Sequence, residues 1–379
     1  MKCLEVKTFQ GLDGLQQVAA QWDSLEQRSN DHHDCSVESV IAYVNQFGDP
    51  DKFLASLVYD GNRLIAAIPT QTEKTLRVFS TAKNLASHWF PGRSGILDPQ
   101  YHASELAGHL LHGLEKAGIS ALELDWLHNE SQFATAVSEW AKQRGLAKSR
   151  ALRFESGITL LANSWEAFQE SWSKNRKRFL RRAENRLAEQ GDLYLVCAHD
   201  QDADRVDEYW DTCLKIEHGS WKGDQQSSLL TNPAANRYFR ELVRSWHSRN
   251  RLQLYILKVN GRPIAFDLGY VKNGVAMSLK ISYLADYAPY SPGHVLNAQV
   301  IRQMIAEGQI QSIDTVGELT AANRKWCETS YRCEKLELAL PGWMNHSRVQ
   351  IKDWMRTLKR TAKSFQGGQY SSSDSEATP

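Results

Sequence analysis

The sequence has few cysteines and uses them sparsely. Cys3, Cys35, Cys197, Cys213, Cys327 and Cys333 form no C-x-x-C pair, so a disulfide framework is excluded and the residues read as reduced thiols of a cytoplasmic protein. No uncharged apolar run approaches the roughly 18–20 residues that a membrane span needs. The opening residues, MKCLEVKTFQGLDG, contain no apolar stretch of the secretory kind. An excess of one charge is also missing: 45 Lys and Arg stand against 44 Asp and Glu, which argues against a whole-surface field for nucleic acid. There is no G-x-S-x-G elbow and no Walker glycine–lysine loop, which sets aside those two routes to hydrolysis and nucleotide binding.

What is present is an ordinary globular composition, 42% hydrophobic and 23% charged, over 379 residues, enough for two cores. The most informative stretch runs over 252–308. LQLYILKV, PIAFDLGYV and VAMSLKISY read as three strands separated by Asn260-Gly261 and Asn273-Gly274. Asn-Gly between apolar runs is a hairpin signal, because a type I′ turn needs positive φ at both central residues. The third strand passes through YLADYAPYSPG into HVLNAQVIRQMIAEG, which has helical apolar spacing and stops at Gly308. A turn that opens a helix presents free N–H groups and the positive end of a dipole, a place for an anion.

A fainter copy lies in the first half. LVYDGNRLIAAIP and LKVNGRPIAF share a strand, a turn with Gly, a basic residue and an Ile-Ala pair, Ile65-Ala66 and Ile264-Ala265. Each is followed by an apolar helix and then a strand, ALELDWL in the first case and SIDTV in the second. The repeated order implies an internal duplication of a mixed α/β unit. The expected division is a first domain over 1–155, a second over 156–342 that includes a basic helix at 164–190, a basic amphipathic helix at 343–366, and a disordered tail at 367–379. The 174–186 run holds seven basic residues and one acid, Glu184. It reads either as a solvated face or as a grip for phosphate or RNA.

HGSWK at 218–222, the strand–turn meander, LKISYLADYAPYSPGHVL, IDTVGELTAANRKW and SKNRKRFLRRAENRL together resemble the CelD/BcsL-type acetyltransferases of the GNAT superfamily. The duplication is similar to the double-GNAT architecture shared with Fem-type aminoacyltransferases. The resemblance implies an α/β (α+β) fold of two tandem GNAT-like domains, each a mixed, mostly antiparallel sheet flanked by helices. It also implies acyl transfer from acyl-CoA (acetyl-CoA) to an amine or hydroxyl, by direct attack in a ternary complex, in bacterial envelope or exopolysaccharide biosynthesis. A Fem-type reaction with aminoacyl-tRNA and a non-catalytic scaffold of a synthase complex are the alternatives. An ordinary GNAT loop has Arg or Gln, two residues, Gly, one residue, then Gly or Ala. Here the run is Tyr290-Ser291-Pro292-Gly293-His294-Val295, in which only Gly293 fits and Pro292 lacks an N–H.

On this resemblance, Lys280, Tyr283, Tyr290, Ser291, Gly293, His294 and Val295 are expected to face the donor, with its pyrophosphate on the amides of Gly293, His294 and Val295. Lys325, in NRKW, matches in position the lysine of a Fem-type motif and would stabilise developing negative charge; its plain alternative is a surface lysine paired with Glu328. Asp286 and Glu217 are candidate bases, against readings as a turn Asp and as a helix-end carboxylate. Trp221, Lys222, Arg178 and Arg182 are candidate acceptor contacts. The acceptor is a small molecule or a glycan- or lipid-linked group. His32-His33-Asp34-Cys35 carries metal-ligand residue types without ligand spacing, so a polar loop and no metal are expected. The expected location is cytoplasmic, with helix 343–366 as a candidate contact to the inner membrane.

Overall fold

The computed structural model describes residues 4–75, 79–87 and 94–342, together with 345, 347, 349–351 and 354. The helix expected at 343–366 lies largely outside these residues, and the tail at 367–379 wholly so.

Among the described residues thirteen strands form one sheet. In chain order they are β1 (Glu5–Gln10), β2 (Phe53–Asp60), β3 (Arg63–Thr75), β4 (Phe79–Asn84), β5 (Ile96–Leu97), β6 (Ala121–His128), β7 (Lys148–Leu160), β8 (Leu193–Cys197), β9 (Leu252–Val259), β10 (Arg262–Lys272), β11 (Val275–Tyr283), β12 (Ser312–Asp314) and β13 (Thr329–Ala339). Their spatial order is β1-β2-β3-β4-β6-β13-β7-β12-β11-β10-β9-β8, with β5 on β3. The duplication is explicit in this order. β1 to β4 and β8 to β11 are antiparallel meanders; β6 lies parallel to β4, and β12 parallel to β11.

The sixth strand of each unit is exchanged. β7 pairs with β12 of the second half, while β13, the last described strand, pairs with β6 of the first. β7 and β13 then pair with each other from Thr329↔Ile158 to Leu338↔Lys148 and join the halves into one sheet. β7 therefore straddles residues 155 and 156, where the sequence divides the two domains.

The turns form as the residues require. Asn260, Gly261, Asn273 and Gly274 all have positive φ, between 48° and 75°. Helix Pro292–Glu307 starts on Pro at its first position and stops at Gly308, φ 69°. The basic helix expected at 164–190 is two helices, Trp165–Phe168 and Lys174–Ala188. The break falls where Ser173 caps the second one, its hydroxyl accepting from the Arg176 amide at 3.2 Å.

Helices cover both faces. On one face, helix Val37–Phe47 of the first half packs on helix Pro233–Ser248 of the second through Phe47 and Tyr238, whose rings are 5.1 Å apart. On the other, helices Ala103–Lys116 and Gln132–Gln143 cover the first half, and helices Lys174–Ala188 and Pro292–Glu307 the second.

The His32–Cys35 run is a loop, as expected, but a largely buried one. His33, Asp34 and Cys35 are buried in the seam between the halves. Asp34 accepts from the Trp246 indole at 2.8 Å, and its amide donates to the Tyr270 hydroxyl at 2.8 Å. Lys272 reaches the His33 carbonyl at 3.2 Å and Glu26 at 2.7 Å, and Arg251 also pairs with Glu26. Buried polar groups persist only when paired in this way, which makes the segment a latch.

Candidate functional site

β11 and β12 pair over only three residues, Val275–Met277 against Ser312–Asp314. From Ser278 onward they splay. A cavity of about 270 Å³ opens in the split, lined by Asp267, Ser278, Lys280, Asn297, Thr315 and Trp326 among others. A second cavity of about 490 Å³ continues toward the start of helix Pro292–Glu307 and shares Lys222, Ile281, Asn297, Asn323 and Trp326 with the first. The two form one cleft with two compartments.

A bulge sets the geometry of β11. Leu268 pairs with Lys280 and Gly269 with Ser278, so Leu279 is the extra residue. Gly269 makes this approach feasible: a Cβ there would stand 2.0 Å from the Met277 carbonyl oxygen. In the first half, β3 and β4 pair from Thr70↔Asn84 to Thr75↔Phe79 without a shift. Counted from the Ile-Ala pairs, Thr70 stands where Gly269 does, Ile68 where Asp267 does, and Asn84 opposite it as Ser278 is opposite Gly269. Asn84 closes the corresponding split: its side chain donates to the Asp125 carbonyl at 2.9 Å and accepts from the Asp125 amide at 2.8 Å. The described cleft therefore belongs to the second half alone.

Asp267 is the group that sequence reasoning missed. It sits mid-strand in β10, 8% exposed, and accepts from the Ser278 hydroxyl at 2.9 Å. Burial pushes its carboxyl up to about 6, and the Ser278 bond only partly opposes this. An aspartate inside PIAFDLGYV, otherwise an apolar strand, is the signal that could have found it.

Glu217 is not part of the cleft lining; it stands behind Lys222 and Lys280, where its environment makes it a counter-ion rather than a base. One oxygen is 3.0 Å from the Lys222 ammonium and 3.4 Å from that of Lys280; the other accepts from the Leu229 amide at 2.9 Å. Burial raises its pKa, but Lys280, Lys222 and that amide outweigh it and hold the carboxyl below its usual value. Burial brings Lys280 down to about 8 even with Glu217 beside it. Lys222 is placed by the HGSWKG turn, which is tight enough that a Cβ on Gly223 would meet the His218 carbonyl oxygen at 1.8 Å. Trp221, in the same short helix Trp221–Asp224, is 54% exposed at the mouth of the cleft.

Tyr283, Ser291, Gly293 and His294, expected to face the donor, line the larger compartment. The amide cradle does not form as expected. Ser291 takes a left-handed conformation, and its carbonyl accepts from the amides of His294 at 3.1 Å and Val295 at 3.4 Å. Pro292 has no amide, so Gly293 is left as the amide of that turn able to meet a ligand. The Val295 side chain is fully buried in the core, and Tyr290 packs near Tyr287, 6.2 Å between rings, outside both compartments.

Cations stand behind this loop. Arg176 stacks on Trp172, 3.5 Å from the ring centroid, and lies 5.3 Å from Trp326. Burial lowers its guanidinium to about 10. His294 is depressed by burial and by the nearby Lys325 and Arg176. Lys325 itself is exposed, 5.8 Å from the Phe179 ring, and lines neither compartment. Asp286 is 80% exposed and 3.8 Å from Arg262, also outside the cleft. Arg178 and Arg182 lie on the exposed face of helix Lys174–Ala188, apart from the cleft lining.

Residues 174–324 match the family model described as an acetyltransferase (GNAT) domain. A search of curated proteins gives no match. The fold is similar to that of FemX, with a TM-score of 0.57, 10% identity, and coverage of 88% of this chain and 98% of that one. It is also similar to the C-terminal domain of a candidate lysylphosphatidylglycerol synthetase from Agrobacterium fabrum, with a TM-score of 0.54, 12% identity, and coverage of 88% and 95%. A tandem GNAT protein from the clavulanic acid biosynthesis pathway aligns over 90% of this chain and 100% of that one, at 12% identity and a TM-score of 0.46. Among the described residues no helix is long and apolar enough to cross a membrane. The match to the acetyltransferase (GNAT) domain model thus falls in the second half of the chain, residues 174–324, within a fold similar to that of FemX.

Proposed function

We propose that the cleft between β11 and β12 transfers an acyl group from acyl-CoA to an amine or hydroxyl acceptor, with Asp267 as general base. The observation that carries this reading is the placement of Asp267. It is a buried carboxylate with its pKa raised to about 6, on the wall of the smaller compartment of the cleft. Such a pKa suits proton abstraction near neutrality. The acceptor's nucleophile attacks the acyl carbonyl, its proton passes to Asp267, and the tetrahedral intermediate expels the thiolate of the donor, which takes up a proton. Lys280 and Lys222, held by Glu217, supply positive potential to the cleft where negative charge develops. The Gly293 amide, His294 and the cations Arg176 and Lys325 behind it suit the anionic part of the donor.

An acceptor from envelope or exopolysaccharide biosynthesis is what the resemblance to CelD/BcsL-type enzymes implies. One observation favours a second reading, transfer from aminoacyl-tRNA. The solvent face of helix Lys174–Ala188 carries Lys174, Lys177, Arg178, Arg181 and Arg182, and Arg186 donates to the Pro289 carbonyl at 2.8 Å, beside the loop. Thermal unfolding with acetyl-CoA and longer acyl-CoAs separates the two. A dose-dependent rise in the midpoint supports the first. No shift at millimolar acyl-CoA, with stabilisation by charged tRNA, replaces it with the second.

A further inference from the structure

At the far edge of the second half, away from the cleft, the chain brings three different metal-ligating side chains together. Cys197 ends edge strand β8, and His199 and Asp200 follow in the single 3-10 turn Ala198–Asp200. A thiol sulfur, an imidazole nitrogen and a carboxylate oxygen from these residues all lie within 4.8 Å of one another. Ligand bonds of about 2.0–2.3 Å in a tetrahedral site set donor atoms roughly 3.3–3.8 Å apart, so small rotations close the set. His199 and Asp200 are already 3.8 Å apart through Nε2 and Oδ1.

The imidazole is held for the role. Nδ1 of His199 is 3.2 Å from both the Leu254 carbonyl and the Leu254 amide; in the tautomer that donates to the carbonyl, the Nε2 lone pair faces Asp200. A backbone carbonyl on the second ring nitrogen is the usual support of a ligating histidine. The charge around the set is one-sided. Among the described residues neither Asp200 nor Glu307 has a Lys or Arg within ion-pair distance. A polar cavity of about 420 Å³, lined by His199, Asp200, His247, Gln303 and Glu307 among others, adjoins the turn and leaves room for a water ligand.

We propose that Cys197 Sγ, His199 Nε2 and the Asp200 carboxylate bind a borderline divalent cation of the Zn²⁺ type, with the fourth position open to this cavity. Thiolate with imidazole favours such an ion over Mg²⁺ or Ca²⁺. Binding converts the thiol to thiolate and releases its proton to solvent. The ion ties the end of the edge strand to β9, because the His199 ring is bonded to Leu254.

The test uses the full chain, stripped with chelator and titrated with Co²⁺ as a spectroscopic probe and with Zn²⁺ against a chromophoric competitor. The expected result is one equivalent of Co²⁺ with visible d–d bands and a thiolate charge-transfer band. C197S is expected to abolish the charge-transfer band, and D200N to keep it while weakening Zn²⁺ binding by at least about 10-fold. Circular dichroism confirms that both variants are folded. Absence of the thiolate band in the parent chain, or Zn²⁺ affinity unchanged in both variants, overturns the proposal.

Discussion

The Ser278 hydroxyl donates to the Asp267 carboxylate at 2.9 Å across β11 and β10, and the equivalent positions in the first half are Asn84 and Ile68. One duplicated framework thus holds a titratable pair in one copy. In the other it holds an apolar residue and an amide bonded to the neighbouring strand.

Replacing Asp267 with Asn is expected to lower kcat by about 100-fold or more while the protein stays folded. In the parent chain log kcat/KM should rise with pH up to about 6 and then level, because the base must be ionised. Stability moves the other way. A carboxyl raised from 3.8 to about 6 on folding favours the fold fully below its unfolded pKa, and this is lost as pH rises through 6. D267N should therefore gain about 2–3 kcal/mol over the parent at pH 8 and little at pH 4, measured by urea unfolding at both values. An unchanged pH–rate profile in D267N would remove Asp267 from the chemistry.

Gly269→Ala is expected to destabilise the chain by about 1–3 kcal/mol or more, since its Cβ would meet the Met277 carbonyl oxygen at 2.0 Å. The bulge must shift or flatten, so activity should fall more steeply than stability alone explains. Denaturant midpoints and initial rates on the same preparation separate the two effects.

Glu217→Gln leaves Lys222 and Lys280 without their shared counter-ion. Breaking a buried pair in this way costs about 3–5 kcal/mol. Because the Glu217 carboxyl is held low, its contribution is present above its unfolded pKa and is lost as pH falls through the lower folded value. The gap between parent and E217Q should be widest near pH 7 and narrow in strong acid. A gap that does not change with pH would show that the effect is steric.

Asp34→Ala removes the acceptor of the Trp246 indole in the seam between the halves. A loss of about 1–3 kcal/mol is expected, together with faster hydrogen exchange in residues 29–35. Unchanged exchange there would mean that the latch is held mainly by Lys272 and Glu26.

Local chemistry made much of the second half legible. Asn260-Gly261, Asn273-Gly274, Pro292 and Gly308 act through backbone conformation alone, and each produced the turn or helix end its residue type demands. The repeated Ile-Ala pairs exposed the duplication because they fall at the same place in both meanders. What stayed hidden depends on distant pairing. Nothing near Lys148 or Thr329 announces that β7 and β13 change places. The burial of Asp267 and Glu217 comes from elements packed above and below them. For that reason Glu217, read as a helix-end carboxylate or a base, became a counter-ion, while Asp286 and Lys325, plausible by position in the chain, stand outside the cleft.

The exchange of β7 and β13 bears on how the chain is made. Residues 1–147 contain five of the six main strands of the first unit, but its last edge is filled only by Thr329–Ala339. During synthesis that edge waits for Thr329–Ala339 to leave the ribosome, and that strand then fills the edge of the first unit and, through β7, joins it to the second. A fragment ending near residue 155 is expected to aggregate or dimerise through this edge rather than fold as an independent domain.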